Sequence, residues 1–138
     1  MQMRLFILMI GKNIEIMNEK VLHQIIMENI LDFMNQLGNG YCLVGSEYKI
    51  KVGNQYNFID LFLFNYVYNC FVVIELKVTE LKKEYIGQVE VYMNYIDKNI
   101  KDLNHNKTIG IIVVKKNNKF VMEYCSDSRI IAREYIIK

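Results

Sequence analysis

Asp60 in "FIDLFLFN" and the Glu75-Leu76-Lys77 run that closes "CFVVIELK" are the residues on which chemistry could rest. Both segments are otherwise apolar, and charged side chains are costly inside a sheet unless they are paired or bind a metal. If the two segments form a hairpin whose loop is centred between Val67 and Tyr68, Asp60 falls opposite Glu75, with Cβ atoms about 4.5–5.5 Å apart. Two opposed carboxylates repel each other. Lys77, on the same face, offsets part of that repulsion. A divalent cation does so more completely, because hard Mg²⁺ takes carboxylate oxygens and keeps several waters; Mn²⁺ is expected to substitute. Such a site suits attack of water on a phosphodiester, with Lys77 orienting the water or neutralising charge that develops on the phosphate.

These residues need a frame. From Asn18 to Leu37 the spacing of Leu22, Ile25, Ile26, Ile30, Phe33, Met34 and Leu37 predicts one helix, capped by Asn18 and ended by Gly38 and Gly40. "YCLVGSEYKIKV" reads as a strand, Gly53–Gln55 as a turn, and the two charged segments as further strands joined by the loop 66–69. In that pair, Phe58, Phe62, Phe64, Phe71 and Val73 share the face of the charges. Ile59, Leu61 and Leu63 against Val72, Ile74 and Leu76 make the other. With both faces apolar, helices are expected on both sides. A second helix is expected from about Lys82 to Lys98, with Tyr85, Gln88, Val89, Tyr92, Tyr95 and Ile96 inward. "KTIGIIVVKK", "KFVMEYC" and "AREYII" then read as three strands, with "NN" as a turn. The result is a single mixed α/β domain over residues 18–138, preceded by an apolar lead, residues 1–17, read as a strand or a remnant.

Gln88 interrupts the apolar stripe of the second helix, with Tyr92 one turn on. A glutamine there needs a partner, and the strand-end site would supply one. Glu28 in the first helix is a further acidic candidate with no fixed direction.

The chain has 138 residues, is 52% hydrophobic and 23% charged, and carries a net charge of +2. That suits one globular domain with a real core and rules out a disordered or globally basic chain. Cys42, Cys70 and Cys125 show no metal spacing and read as buried free thiols of a reducing cytoplasm. His23 and His105 are too isolated for a zinc site. The lead is too short to cross a bilayer and lacks a signal-peptide cleavage site, so no membrane association is expected.

Asp60 followed by Glu75-Leu76-Lys77 resembles the PD-(D/E)XK nuclease signature, and the α-β-β-β-α-β order matches its restriction-endonuclease-like core, a mixed central sheet flanked by helices. "GQVEVY", Gly87–Tyr92, is similar to the glutamine–tyrosine helix motif of RecB-like members. In order, "LGNGYCLVG", "FIDLFLFN", "CFVVIELK", "KKEYIGQVEVYMNYID" and "TIGIIVVKKNNKFVMEYC" resemble the C-terminal domain of YhcG-like nucleases over most of the chain. The resemblance implies a metal-dependent endonuclease acting on DNA in bacterial DNA processing or defence. In it Asp60 and Glu75 hold Mg²⁺, Lys77 assists the attacking water and Gln88 shapes the site. The chain departs from the family in three ways. A helical N-terminal domain is replaced by the short lead, as in a fragment, a split product or a degenerate copy. Gln36 stands where an acid usually precedes Leu37-Gly38, which would weaken the metal site if that acid serves it. Lys83 replaces a proline.

Bland readings compete with these. Asp60, Glu75 and Lys77 could form a structural ion-pair cluster, and Gln88 and Tyr92 could simply pack a helix on the sheet. Glu28, Asp32 and Glu47 read as solvated. Lys82, Lys83, Lys115, Lys116 and Lys119 read as turn and helix-start charges, within reach of phosphate if the site is a nuclease. The tyrosines read as core and cross-strand packing. A second functional class is an inactive or weakly active nuclease-like module that binds DNA or assembles. A third is a structural domain that pairs with a separately encoded N-terminal domain or another protein through an exposed lead. Self-association as a homodimer is expected, and the residues alone leave open which nucleic acid is cut.

Overall fold

A computed structural model describes residues 4–8 and 17–138. The lead's residues 1–3 and 9–16 lie outside the described residues. The elements are β1 (Arg4–Ile7), α1 (Glu19–Glu28), α2 (Ile30–Leu37), β2 (Tyr41–Val52), β3 (Gln55–Asn65), β4 (Cys70–Leu76), α3 (Lys83–Asn99), β5 (Asn106–Val114), α4 (Lys119–Glu123) and β6 (Ile130–Ile137).

All six strands form one mixed sheet in the order β1-β6-β5-β4-β3-β2. The β2–β3–β4 segment is an antiparallel meander. β4, β5, β6 and β1 run parallel to one another. Parallel neighbours need a crossover, and α3 supplies the one between β4 and β5. Leu22, Ile25, Ile26, Phe33 and Met34 of α1 and α2 cover one face, packing on Leu61, Leu63, Val72, Ile74 and Ile111. Ile86, Val89, Tyr92, Met93 and Ile96 of α3 cover the other, on Phe62, Val73, Ile112 and Val114. The αβββαβ core is therefore present, with helices on both faces of a mixed sheet.

Several local expectations are corrected. The first helix is interrupted at Asn29, whose φ of −129° leaves the helical region. The break lets α1 and α2 each follow a twisting sheet. "KFVMEYC" is not a strand: Asn118 accepts hydrogen bonds from the N–H groups of Phe120 and Val121 and starts α4. Asn117-Asn118 consequently begins a crossover to a parallel β6, and the last strand starts earlier than "AREYII". The inner stripe of α3 is rotated, with Ile86 and Met93 in the core and Tyr85, Gln88 and Tyr95 at its margin. Ile59 leaves the face of Leu61 and Leu63 and joins the α3-side cluster with Phe62, so alternation breaks around Asp60. Glu47, beside that point on β2, has a left-handed φ of 49°. Cys42 is exposed on the edge strand, while Cys70 is buried and Cys125 intermediate; all three thiols are free.

The lead contributes β1. Leu5 and Ile7 are buried in the core beneath α1 and α2, while Phe6 points outward. Gln36 fastens this edge strand. Its Nε2 donates to the Phe6 carbonyl at 2.7 Å, and its Oε1 accepts from the Phe6 N–H at 2.7 Å. A carboxylate could accept the second bond but not donate the first. Among the described residues no helix is long and apolar enough to cross a membrane.

Candidate active site

The β3–β4 register places Leu61 opposite Ile74 and Phe62 opposite Val73. One step beyond these pairs, Asp60 and Glu75 meet through crossed hydrogen bonds. The Asp60 N–H donates to Glu75 Oε1 at 3.3 Å, and the Leu76 N–H donates to Asp60 Oδ2 at 2.8 Å. Glu75 is 3% exposed and Asp60 is half-buried. Burial and then the Asp60 charge push the Glu75 carboxyl up to about 9, so a proton is held between the two groups at neutral pH. Burial also raises Asp60, against the pull of the Leu76 N–H, His23 and Lys77.

Lys77 follows on the same strand end. Its Nζ lies 3.7 Å from Glu19 Oε1 and 4.7 Å from the centroid of the Tyr85 ring. The Tyr85 hydroxyl is 2.6 Å from Thr79 Oγ1, which fixes the ring under the ammonium. From the sheet's other face, His23 Nε2 lies 3.2 Å from the Asp60 carbonyl oxygen and 2.8 Å from Ser46 Oγ. Gln88 Nε2 donates to the Tyr92 hydroxyl at 3.1 Å. Tyr92 is 4% exposed, and burial followed by the Glu75 charge raises its hydroxyl pKa. α3 is held against the sheet by Gly110, where any Cβ would strike Val89 and Met93. It is also tied by Arg129, which donates to Asp97 of α3 and to Asp127, both at 3.0 Å.

The structure thus brings Asp60, Glu75 and Lys77 together at one sheet end, with Tyr92 and Gln88 along its α3 side. Glu28 lines an open cleft with Lys20, His23, Gln24, Met27 and Glu47 on the α1 side. The acid of α1 that reaches the site is Glu19, which the sequence reading did not single out. His23 was set aside as isolated. Both stand one helical turn apart on α1, and that i, i+4 spacing was the available signal. Gln36 stays at β1, away from the carboxylate pair, so its place in the chain concerns the sheet edge.

The donor chemistry fits a hard divalent cation. Two carboxylates that cannot both ionise alone present oxygens of the kind Mg²⁺ prefers. Among the described residues no group of three or more His, Cys, Asp or Glu side chains is positioned to hold a metal, so the protein would supply a minority of the ligands.

A mixed sheet with this αβββαβ core, flanked by helices on both faces, has the restriction-endonuclease-like class of fold. The chain belongs to the YhcG PDDEXK nuclease domain family, whose model matches residues 3–137. It is 22% identical over 121 residues to the Escherichia coli (strain K12) protein described as "Putative nuclease YhcG". The match covers 86% of this chain and 32% of that protein, so the chain spans about a third of that relative's length. The fold is similar to that of a repair endonuclease from Pyrococcus abyssi, with a TM-score of 0.59 and 17% identity over 90% of this chain and 49% of the other. It is likewise similar to EndoMS in a complex with double-stranded DNA, with a TM-score of 0.62 and 15% identity over 90% of this chain and 47% of the other.

Proposed function

We propose that this domain is a DNA endonuclease dependent on Mg²⁺, with Mn²⁺ as a substitute, and that Asp60 and Glu75 hold the ion. The observation that carries this reading is the coupled pair itself. Glu75 is buried, protonated near neutrality and hydrogen-bonded to the backbone of Asp60. A purely structural pair has no reason to keep two carboxylates together at the open end of a sheet, whereas a cation replaces the shared proton and removes the repulsion. When bound, the ion polarises the phosphoryl oxygen and favours formation of hydroxide from water. Lys77, beside the pair, orients the attacking water and stabilises negative charge on the phosphate. Tyr92 walls the pair off from solvent, and Gln88 fixes its hydroxyl.

The test is nicking of supercoiled DNA in Mg²⁺ or Mn²⁺ by the intact chain and by Asp60→Ala, Glu75→Ala and Lys77→Ala. Each substitution should lower the rate by about 100-fold or more, the scale of removing one electrostatic contributor. Retention of wild-type activity by Glu75→Ala would sink the assignment. A second reading, a weakly active binding or assembly module, is favoured by one detail: the Lys77 ammonium is drawn toward Glu19. It predicts DNA binding that is indifferent to Glu75→Ala.

A further inference from the structure

β3 outruns β4. The β3–β4 ladder begins at Leu61, so Gln55 to Ile59 have only β2 as a neighbouring strand. Together with Lys49–Val52 they form a hairpin arm that projects past the strand end where Asp60, Glu75 and Lys77 meet. Its α3-side residues, Ile50 and Ile59, are buried at 2% and 0%. Its opposite face is not covered. There Lys49 stands opposite Phe58 and Lys51 opposite Tyr56, so two cations and two aromatics share one face. Tyr56 is 57% exposed and Phe58 51%. Lys49 Nζ sits 4.1 Å from the Tyr56 ring centroid and Lys51 Nζ 5.7 Å from it. The tyrosines were expected to be packing residues; Tyr56 escapes that role because no layer covers this face of the arm.

An exposed aromatic pair on an edge hairpin invites aggregation unless it has a use or a guard. The lysines serve as the guard in the free protein. Their charge also says what the face complements. At a strand rise of about 3.3 Å per residue, Phe58 lies about 7 Å and Tyr56 about 13 Å along the chain from Asp60. That is the reach of the nucleotides flanking a phosphate held at Asp60. Lysine paired with an exposed aromatic, repeated along a strand, is how single-stranded nucleic acid is held without reading sequence: ammonium on phosphate, ring on base. Lys20 and His23 of α1 continue this side of the sheet toward the site, with Glu47 as the acid at the arm's root.

We infer that the β2–β3 arm grips a single-stranded or unpaired DNA segment beside the scissile phosphate, Lys49 and Lys51 on its phosphates and Tyr56 and Phe58 on its unstacked bases. This rests on the nuclease reading and deepens it: the substrate class becomes DNA with an unpaired flank, such as a flap, gap edge or bubble.

The test measures binding of a fluorescent duplex bearing a single-stranded flank, and of the matched blunt duplex, in an Asp60→Asn background that blocks cleavage. The parent should prefer the flanked substrate. Tyr56→Ala/Phe58→Ala should abolish that preference, with a loss of about tenfold or more on the flanked substrate alone. Lys49→Gln/Lys51→Gln should lower the salt slope of binding by about 1.4, two single-strand phosphate contacts. Melting temperatures should stay unchanged, since all four side chains face solvent. Nicking by the otherwise unaltered chain is assayed in parallel. Arm variants that bind and cut like their parents overturn the arm and leave the nuclease reading intact. A chain that neither binds nor nicks DNA overturns both. If the variants change only self-association in light scattering, the face is a contact between copies and the inference falls.

Discussion

Glu75 concentrates the energetics of the site in one side chain. Unfolded, it releases its proton near the ordinary glutamate value of 4.5; folded and without a cation, it keeps it up to about 9, because burial and Asp60 disfavour the charge. Between those values the native state binds more protons than the unfolded chain, so stability falls as pH rises through the window. The contribution is fully present below the unfolded value and is lost on passing the folded one. Glu75→Gln keeps the shape and removes the charge. In EDTA it should flatten that slope, and at about pH 9 it should exceed wild type by roughly 1–3 kcal/mol, the cost of an uncompensated buried group. Urea denaturation at about pH 6 and about pH 9 measures this. A wild-type stability that climbs over that interval, with the variant running parallel, would contradict it. If the pair holds the proposed cation, binding must expel the same proton, so affinity for Mg²⁺ should tighten over the same range in wild type.

At the scale of elements, the site depends on how closely α3 lies on β5. Gly110 permits that approach: a Cβ there would collide with Val89 and come within 2.9 Å of Met93 Sδ. Both residues sit on the turns of α3 that carry Gln88 and Tyr92. Gly110→Val should therefore cost about 1–3 kcal/mol through overpacking, and it should also lift Tyr92 off the carboxylate pair. Thermal unfolding and the nicking rate should fall together, while Gly87→Ala, which has open space at the same helix, should leave nicking unchanged. Much of this frame was legible in sequence because the central strands are apolar on both faces and the loop 66–69 sets their register. Asp60 opposite Glu75 followed from that register alone. The break at Asn29 and the helical state of Lys119–Glu123 were not legible. The helical state turns on Asn118, whose side chain accepts from the N–H groups of Phe120 and Val121 where a short apolar run also fits a strand, and the break falls at an asparagine inside an apolar stripe that is helical on both sides of it. Glu19 was missed because its partner Lys77 is far off in sequence and only the packing of α1 on the sheet brings them together. In the arm the strict alternation expected of β3 fails at Asp60, where Ile59 joins the face of Phe62, and alternation in any case says which residues share a face and not whether another layer covers it.

For the whole molecule, what matters to the proposed reaction is that, among the described residues, the candidate site holds a single carboxylate pair, Asp60 and Glu75. The two strands of a duplex run antiparallel, so a single site can engage one phosphodiester at a time in the productive direction. A lone chain should accordingly nick, and cutting both strands requires either a second encounter or a second copy facing the other strand. On supercoiled DNA the nicked form should appear at a rate proportional to protein concentration. The linear form should appear later, and at low concentration only as a second, independent nick near the first. If the chain forms the homodimer proposed from the sequence, raising the concentration through the association range should make linear product appear together with the nick. Light scattering on the same samples would decide between these cases. Linear product formed directly at concentrations where the chain is a monomer would mean that one site cuts both strands in turn without release. That would shift attention from the carboxylate pair to whatever holds the duplex between the two cuts.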